Sequence, residues 1–173
     1  FIYLSTFSKI LAPGLRLGCI VINKDLMPKY SVMKQSADVH SDNLTQHIVA
    51  KFMEEYDIDE HVSKIRKVYR QRENVMMAAI EKDFPAGVNY SHPEGGLFIW
   101  VEVPGDVDTI QLFNTCIKHN VAFVPGEPFY PDKVTPGTFR LNYSNMSEEQ
   151  IQTGIKRLGS AIKETIEQNE ATS

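Results

Sequence analysis

The chain has 173 residues, of which 42% are hydrophobic, 10% aromatic and 23% charged, an ordinary globular composition that excludes disordered, fibrous and disulfide-scaffold classes. Eighteen Lys and Arg against 22 Asp and Glu give a net charge of -4; with no basic tract, no nucleic-acid partner is expected. The longest apolar runs, such as residues 97–101, fall far short of the ~20 residues of a spanning helix, and no segment has a signal-peptide layout, so the expectation is no membrane partner and a cytoplasmic location.

The chain opens on Phe1-Ile2-Tyr3-Leu4, an apolar, strand-like run without an initiator Met, and reads as the middle of a longer protein. Residues 1–7 and 17–22 are rich in β-branched and aromatic side chains and bracket a segment containing Pro13-Gly14, which predicts strand, loop, strand. Leu44, Ile48, Val49, Phe52 and Met53 follow helical spacing, with Asn43 and Gln46 at the start in a capping role. Asp57 and Glu60 then form a capping-box-like start to a longer helix striped by Ile58, Val62, Ile65, Tyr69, Met76, Ala79 and Ile80.

Past Pro85 and Gly87, Gly95-Gly96 leads into a strand over 97–103 that Pro104-Gly105 ends. An Asp108 cap opens a helix with Ile110, Leu112, Phe113, Cys116 and Ile117 on its apolar side. Two more strands, 121–124 and 138–143, flank a Pro- and Gly-rich loop. The last helix starts at a Ser147-x-x-Gln150 box, buries Ile151, Ile155, Leu158, Ile162 and Ile166, and gives way to a frayed polar tail over 167–173. Strands interleaved with long helices predict an α/β or α+β layered fold, self-contained from about residue 45. The first two strands want a sheet that is not all here.

The two cysteines, Cys19 and Cys116, lie in no CxxC or Cys/His pattern and read as reduced, buried thiols. The five histidines, His40, His47, His61, His92 and His119, show no ligand spacing and read as surface residues, so no metal site is expected.

Chemistry concentrates in residues 5–18, Ser-Thr-Phe-Ser-Lys-Ile-Leu-Ala-Pro-Gly-Leu-Arg-Leu-Gly. Hydroxyls at Thr6 and Ser8, loop amides and the forked Arg16 guanidinium are the groups that grip a phosphate. A lysine amine desolvated beside another cation is an activated nucleophile that can bond to an aldehyde cofactor, which gives Lys9 a separate use. A Walker loop is excluded because Lys9 lacks the GxxxxGK context.

The pattern Ser/Thr-x-Ser-Lys-x-x-x-Pro-Gly-x-Arg-x-Gly resembles the cofactor-lysine signature of fold-type I aminotransferases, the class I/II family. Gly95-Gly96-Leu97-Phe98-Ile99-Trp100, the run Val121 to Gly126 followed by Phe129-Tyr130, and Phe139-Arg140-Leu141-Asn142-Tyr143-Ser144 continue the resemblance in the family's order. The resemblance spans nearly the whole chain and is strongest to the branch of 2-aminoadipate, kynurenine and aromatic or branched-chain aminotransferases. It implies the C-terminal part of a transferase fold that uses pyridoxal 5'-phosphate, with residues 1–35 ending the large cofactor-binding domain. Residues 36–173 would then form a connecting helix and a small C-terminal domain, a short sheet packed with helices.

Carried over residue by residue, the resemblance makes Lys9 the covalent tether of the cofactor and the acid/base of the reaction. Thr6, Ser8 and Arg16 hold the cofactor phosphate, and Arg140 takes the substrate α-carboxylate in a bidentate pair. The substrates would be an α-amino acid and a 2-oxo acid, and the assembly a homodimer. Phe129 and Tyr130 either border the site or only pack. Cys19 departs from the aromatic or bulky residue usual after Leu-Gly in the family. The groups that the family places ahead of the lysine, including the acidic partner of the cofactor's ring nitrogen, are not in this chain, which by itself should be inactive. The rival reading is a sensor domain of the same fold behind a winged-helix DNA-binding domain in a transcriptional regulator. A related lyase or synthase using the same lysine is a third.

Overall fold

The computed structural model describes residues 1–172. The chain separates into two compact units, the first Phe1–Ile65 and the second from Arg66 onward.

In the first unit, β1 (Tyr3–Thr6) and β2 (Gly18–Val21) pair antiparallel, with Tyr3 opposite Val21 and Thr6 opposite Gly18. This is the predicted strand, loop, strand. A helix not anticipated from the sequence, α1 (Met27–Asp38), follows with Pro28 in its first turn, where a missing N–H costs nothing. It was missed because it has no apolar stripe to read: none of its residues is buried, and Met27, Tyr30, Val32 and Met33 are all exposed. The next helix, α2 (Asn43–Glu55), is capped by Asp42, whose carboxylate accepts from the Thr45 N–H at 2.7 Å. That corrects the capping role expected of Asn43 and Gln46. Asn43 is the first helical residue, and the Gln46 amide donates back to the Ser41 carbonyl at 3.3 Å. Hydrogen bonding to Thr45 holds the Asp42 carboxyl below its ordinary value.

Asp57 caps α3 (Ile58–Asp83) by accepting from the Asp59 and Glu60 N–H groups at 2.8 and 3.1 Å. The Glu60 carboxylate pairs with Lys64 at 2.8 Å, one helical turn on. The predicted stripe is half-buried over its first two turns and fully buried at Met76, Ala79 and Ile80.

The second unit is built on a four-stranded antiparallel sheet in the order β3-β4-β6-β5, from β3 (Asn89–Tyr90), β4 (Phe98–Glu102), β5 (Val124–Pro125) and β6 (Thr138–Asn142). With α4 (Thr109–Lys118) and α5 (Glu148–Thr172) packed together, this is the α+β form of the expected fold. Alternation along the strands sends Ile99, Val101, Phe139 and Leu141 into one core with Leu112 and Cys116 of α4, Ile155, Leu158 and Ile162 of α5, and Met76 and Ile80 of α3. Phe123 stacks on Phe139 at 4.3 Å between ring centroids. The Ser147/Gln150 box closes reciprocally, Ser147 N–H to the Gln150 side-chain oxygen at 3.0 Å and Gln150 N–H to the Ser147 hydroxyl at 3.3 Å.

Several expectations are corrected. The strand expected at 121–124 shrinks to Val124–Pro125 because the Val121 N–H bonds to the Cys116 carbonyl and closes the end of α4 instead. On α4, Ile110 and Ile117 point outward, while Thr109 and Thr115 are buried in their place. Both threonine hydroxyls are satisfied, by the Gly137 N–H at 3.0 Å and the Gln111 carbonyl at 3.1 Å. Residues 167–172 continue α5 rather than fraying, and Ser173 lies outside the described residues. Cys116 is buried as expected, which pushes its thiol up to about 12, but Cys19 is exposed on β2.

Candidate functional site

The loop between β1 and β2 is held by its own backbone. The Phe7 N–H donates to the Leu17 carbonyl at 3.0 Å, and the Leu11 and Ala12 N–H groups both reach the Phe7 carbonyl, at 2.8 and 3.2 Å. Pro13 to Leu15 form one tight helical turn, after which Arg16 adopts φ 49° and ψ 34°, the left-handed region. Holding a residue other than glycine there costs on the order of 1–3 kcal/mol, and such positions gather at functional sites. The Thr6 hydroxyl accepts the Ser8 N–H at 3.1 Å and lies 3.4 Å from the Leu17 carbonyl, so it organises the loop as well as lining it. Lys9 and Arg16 are exposed, and among the described residues neither has a carboxylate partner. Arg16 makes one long contact, from Nη1 to the Pro13 carbonyl at 3.4 Å. Thr6 at the end of β1 and Ser8, Lys9 and Arg16 on the loop after it therefore share one hydrogen-bonded segment of the first unit. Its hydroxyls and uncompensated cations fit a phosphorylated aldehyde.

Arg140 belongs to the second unit. It lies on β6, next to β4 on one side and β5 on the other, opposite Trp100 and Val124 in the register. Because Phe139 and Leu141 face the helices, Arg140 projects from the other face, with Phe98 and Trp100 of β4. Its guanidinium carbon is 4.0 Å from the Phe98 ring centroid and 4.5 Å from that of Phe129. Trp100 meets Phe129 and Tyr130 edge-on, at 5.8 and 6.0 Å. Arg140 Nε is buried without a hydrogen-bond partner, and among the described residues no carboxylate pairs with the side chain. Arg140 also lines a surface groove with Val124, Asn142, Asn145 and Met146. A half-buried cation on ring faces, lacking an internal counter-charge, is equipped to take an external carboxylate.

A close approach seats the loop that carries Phe129 and Tyr130. The Gly126 N–H donates to the Thr138 carbonyl at 2.8 Å, and a Cβ on Gly126 would lie 2.3 Å from the Thr138 hydroxyl and 2.7 Å from its carbonyl oxygen. Sequence reasoning left Phe129 and Tyr130 between bordering the site and packing, and assigned Phe98 no role. The signal for Phe98 was present, because strand alternation puts Phe98 and Trp100 opposite the core residues Ile99 and Val101. The end of β6 is fastened by Arg72, whose Nη1 donates to the Ser144 carbonyl. Tyr143 beside it is fully buried, with a hydroxyl that has no partner; burial first and the Glu73 charge second push that hydroxyl up. Of the histidines, His40, His47 and His92 are exposed, His61 is half-buried, and half-buried His119 bonds Glu164 at 2.9 Å. Among the described residues no group of three or more His, Cys, Asp or Glu could hold a metal, and no helix is long and apolar enough to cross a membrane.

Comparison with known proteins extends this geometry. The chain is 41% identical over 163 residues to aromatic-amino-acid aminotransferase 1 of Thermococcus litoralis, a match covering 94% of this chain and 39% of that protein. It is 38% identical over 162 residues to the 2-aminoadipate transaminase of Thermus thermophilus, covering 94% of this chain and 41% of the relative. The crystal structure of LysN, the alpha-aminoadipate aminotransferase of Thermus thermophilus, complexed with N-(5'-phosphopyridoxyl)-L-leucine, superposes with a TM-score of 0.92 at 37% identity, over 96% of this chain and 43% of that one. The chain thus spans about two fifths of the length of the relatives it matches. With the model of aminotransferase class I and II also matching residues 1–158, the chain belongs to the class I and II aminotransferase family.

Proposed function

We propose that this chain is part of a pyridoxal 5'-phosphate-dependent aminotransferase that moves an amino group between an α-amino acid and a 2-oxo acid. The observation that carries this reading is the β1–β2 loop, which presents an unpaired Lys9 and, on the same loop, an Arg16 held in the left-handed region. When bound, the cofactor supplies a reactive aldehyde and an electron-withdrawing ring. Thr6, Ser8 and Arg16 grip its phosphate by hydrogen bonds and charge. Lys9, the one amine of the loop, tethers the cofactor and moves the proton at the substrate α-carbon. Arg140 binds and orients the substrate α-carboxylate, which satisfies its buried Nε or the neighbouring donors of its fork.

The same proposal takes residues 1–35 as the end of a larger cofactor-binding domain and 36–173 as a connecting helix and small domain. The exposed Tyr3, Leu4 and Val21 on the first two strands support it. Homodimerisation belongs to this reading and rests on the family resemblance; a cytoplasmic location is part of the same proposal.

The test is to load the full-length protein with pyridoxal phosphate, reduce with borohydride and map the modified peptide. The label is expected on Lys9, and a visible absorption band lost in Lys9→Ala is expected to be bleached by one class of amino acid. Labelling elsewhere overturns the proposal. A Lys9-dependent band that no amino acid bleaches moves the regulator's sensor domain ahead of the enzyme.

A further inference from the structure

The aromatic pair around Arg140 points to a positioning function that goes beyond the carboxylate-binding role proposed for the arginine and rests on it. We infer that Phe98 and Phe129 are positioning residues for substrate binding: their rings hold the Arg140 guanidinium by its faces and leave its N–H edge to the substrate carboxylate. Three observations converge. The guanidinium carbon stands 4.0 Å and 4.5 Å from the two ring centroids, inside the ~6 Å range of cation–π attraction. Arg140 Nε is buried and unpaired, so hydrogen bonds to the protein do not fix the plane of the group. Phe129 is braced in turn, edge-on against Trp100 at 5.8 Å, on a loop seated by the close Gly126–Thr138 approach.

The chemistry of the group makes this arrangement useful. A guanidinium bonds a carboxylate only in its own plane, through parallel N–H donors, whereas ring faces attract it perpendicular to that plane. The two interactions do not compete. An internal carboxylate in the stack's place would neutralise the arginine and would have to be displaced by substrate. Glu127, on the same loop as Phe129, has a buried Oε2 without a partner, yet Arg140 does not pair with it. A stacked arginine is therefore ordered before the substrate arrives. Without a ring it must be ordered on binding, and immobilising one such side chain corresponds to a loss of about 2- to 10-fold in affinity.

The experiment uses the full-length protein and three carboxylates that lack an amino group, glutarate, 4-methylvalerate and 3-phenylpropionate, with dissociation constants measured by calorimetry. For whichever binds tightest, Phe129→Leu is expected to raise the constant about 2- to 10-fold and Phe129→Tyr to restore it. Phe129→Leu is expected to add nothing in an Arg140→Lys background. The Arg140 Nε–H resonance, moved upfield by the two rings, should return toward its ordinary position in Phe129→Leu, a readout that needs neither ligand nor turnover. If Phe129→Leu weakens binding equally in the Arg140→Lys background, or Phe129→Tyr fails to restore it, or the resonance does not move, the positioning inference is overturned while the role of Arg140 stands. If Arg140→Lys binds all three carboxylates as the wild type does, or the wild type binds none, the carboxylate-binding role itself fails.

Discussion

Two glycines of α5 should respond with opposite signs to the same substitution. Both sit inside the helix, where replacing glycine by alanine removes backbone freedom from the unfolded chain and gains about 1 kcal/mol. At Gly154 the added Cβ would meet one atom, Val121 Cγ2, at 4.0 Å, an ordinary contact. Gly154→Ala should therefore keep the full gain. At Gly159 the Cβ would lie 2.2 Å from the Asp83 carbonyl oxygen and 2.9 Å from its carbon, backbone atoms at the end of α3 that no rotamer change can clear. Restoring a normal C···O separation of about 3.3 Å requires roughly 1 Å of movement between the helices. That movement disturbs Leu158, Ala161 and Ile162, all fully buried. Overpacking of this kind costs about 2–3 kcal/mol, leaving Gly159→Ala about 1–2 kcal/mol less stable than wild type and about 2–3 kcal/mol below Gly154→Ala. Urea denaturation of the 173-residue chain, followed by helix ellipticity and by the fluorescence of the single tryptophan, Trp100, should separate the two midpoints by about 1 M or more. A Gly159→Ala chain as stable as wild type would refute the close packing of α5 on the end of α3.

Gly126→Ala should lift the loop that carries Phe129 and Tyr130 off β6, at a cost of about 2–4 kcal/mol for a lost backbone hydrogen bond and the overlap with Thr138. Trp100 touches both rings, so its emission should shift to the red; an unchanged spectrum would contradict the loop placement. Cys116, unionised until about 12 when folded, should resist thiol reagents until the chain unfolds. Its raised value means that the unfolded chain loses the proton first as pH rises. Stability should fall from about pH 9 upward, by ~1.4 kcal/mol at about pH 10, a slope that Cys116→Ala should remove. Equal pH slopes in wild type and variant would count against the burial of this thiol.

Most elements could be read from local pattern, because capping chemistry and apolar period are properties of neighbouring residues. The reciprocal Ser147/Gln150 box, the Asp108 cap and the stripe of α5 are of this kind. The motif around Lys9 was likewise legible, since Thr6 ends β1 and Ser8, Lys9 and Arg16 lie on the loop that joins it to β2. What escaped was α1, whose apolar residues do not align on one face, and the Asp42 cap, displaced by one residue from where the pattern suggested.

The sequence by itself determined which groups the chain offers: hydroxyls, a lysine and an arginine within residues 6–16, and an arginine in the Phe-Arg-Leu-Asn-Tyr-Ser run. Only the tertiary structure decided how Arg140 is held. Arg140 comes from β6, Phe98 from β4 and Phe129 from the loop after β5, and strand pairing together with the Gly126 approach brings the two ring centroids to 4.0 and 4.5 Å from the Arg140 guanidinium carbon. Contacts between segments so far apart in sequence are set by register and close packing, which no local spacing encodes.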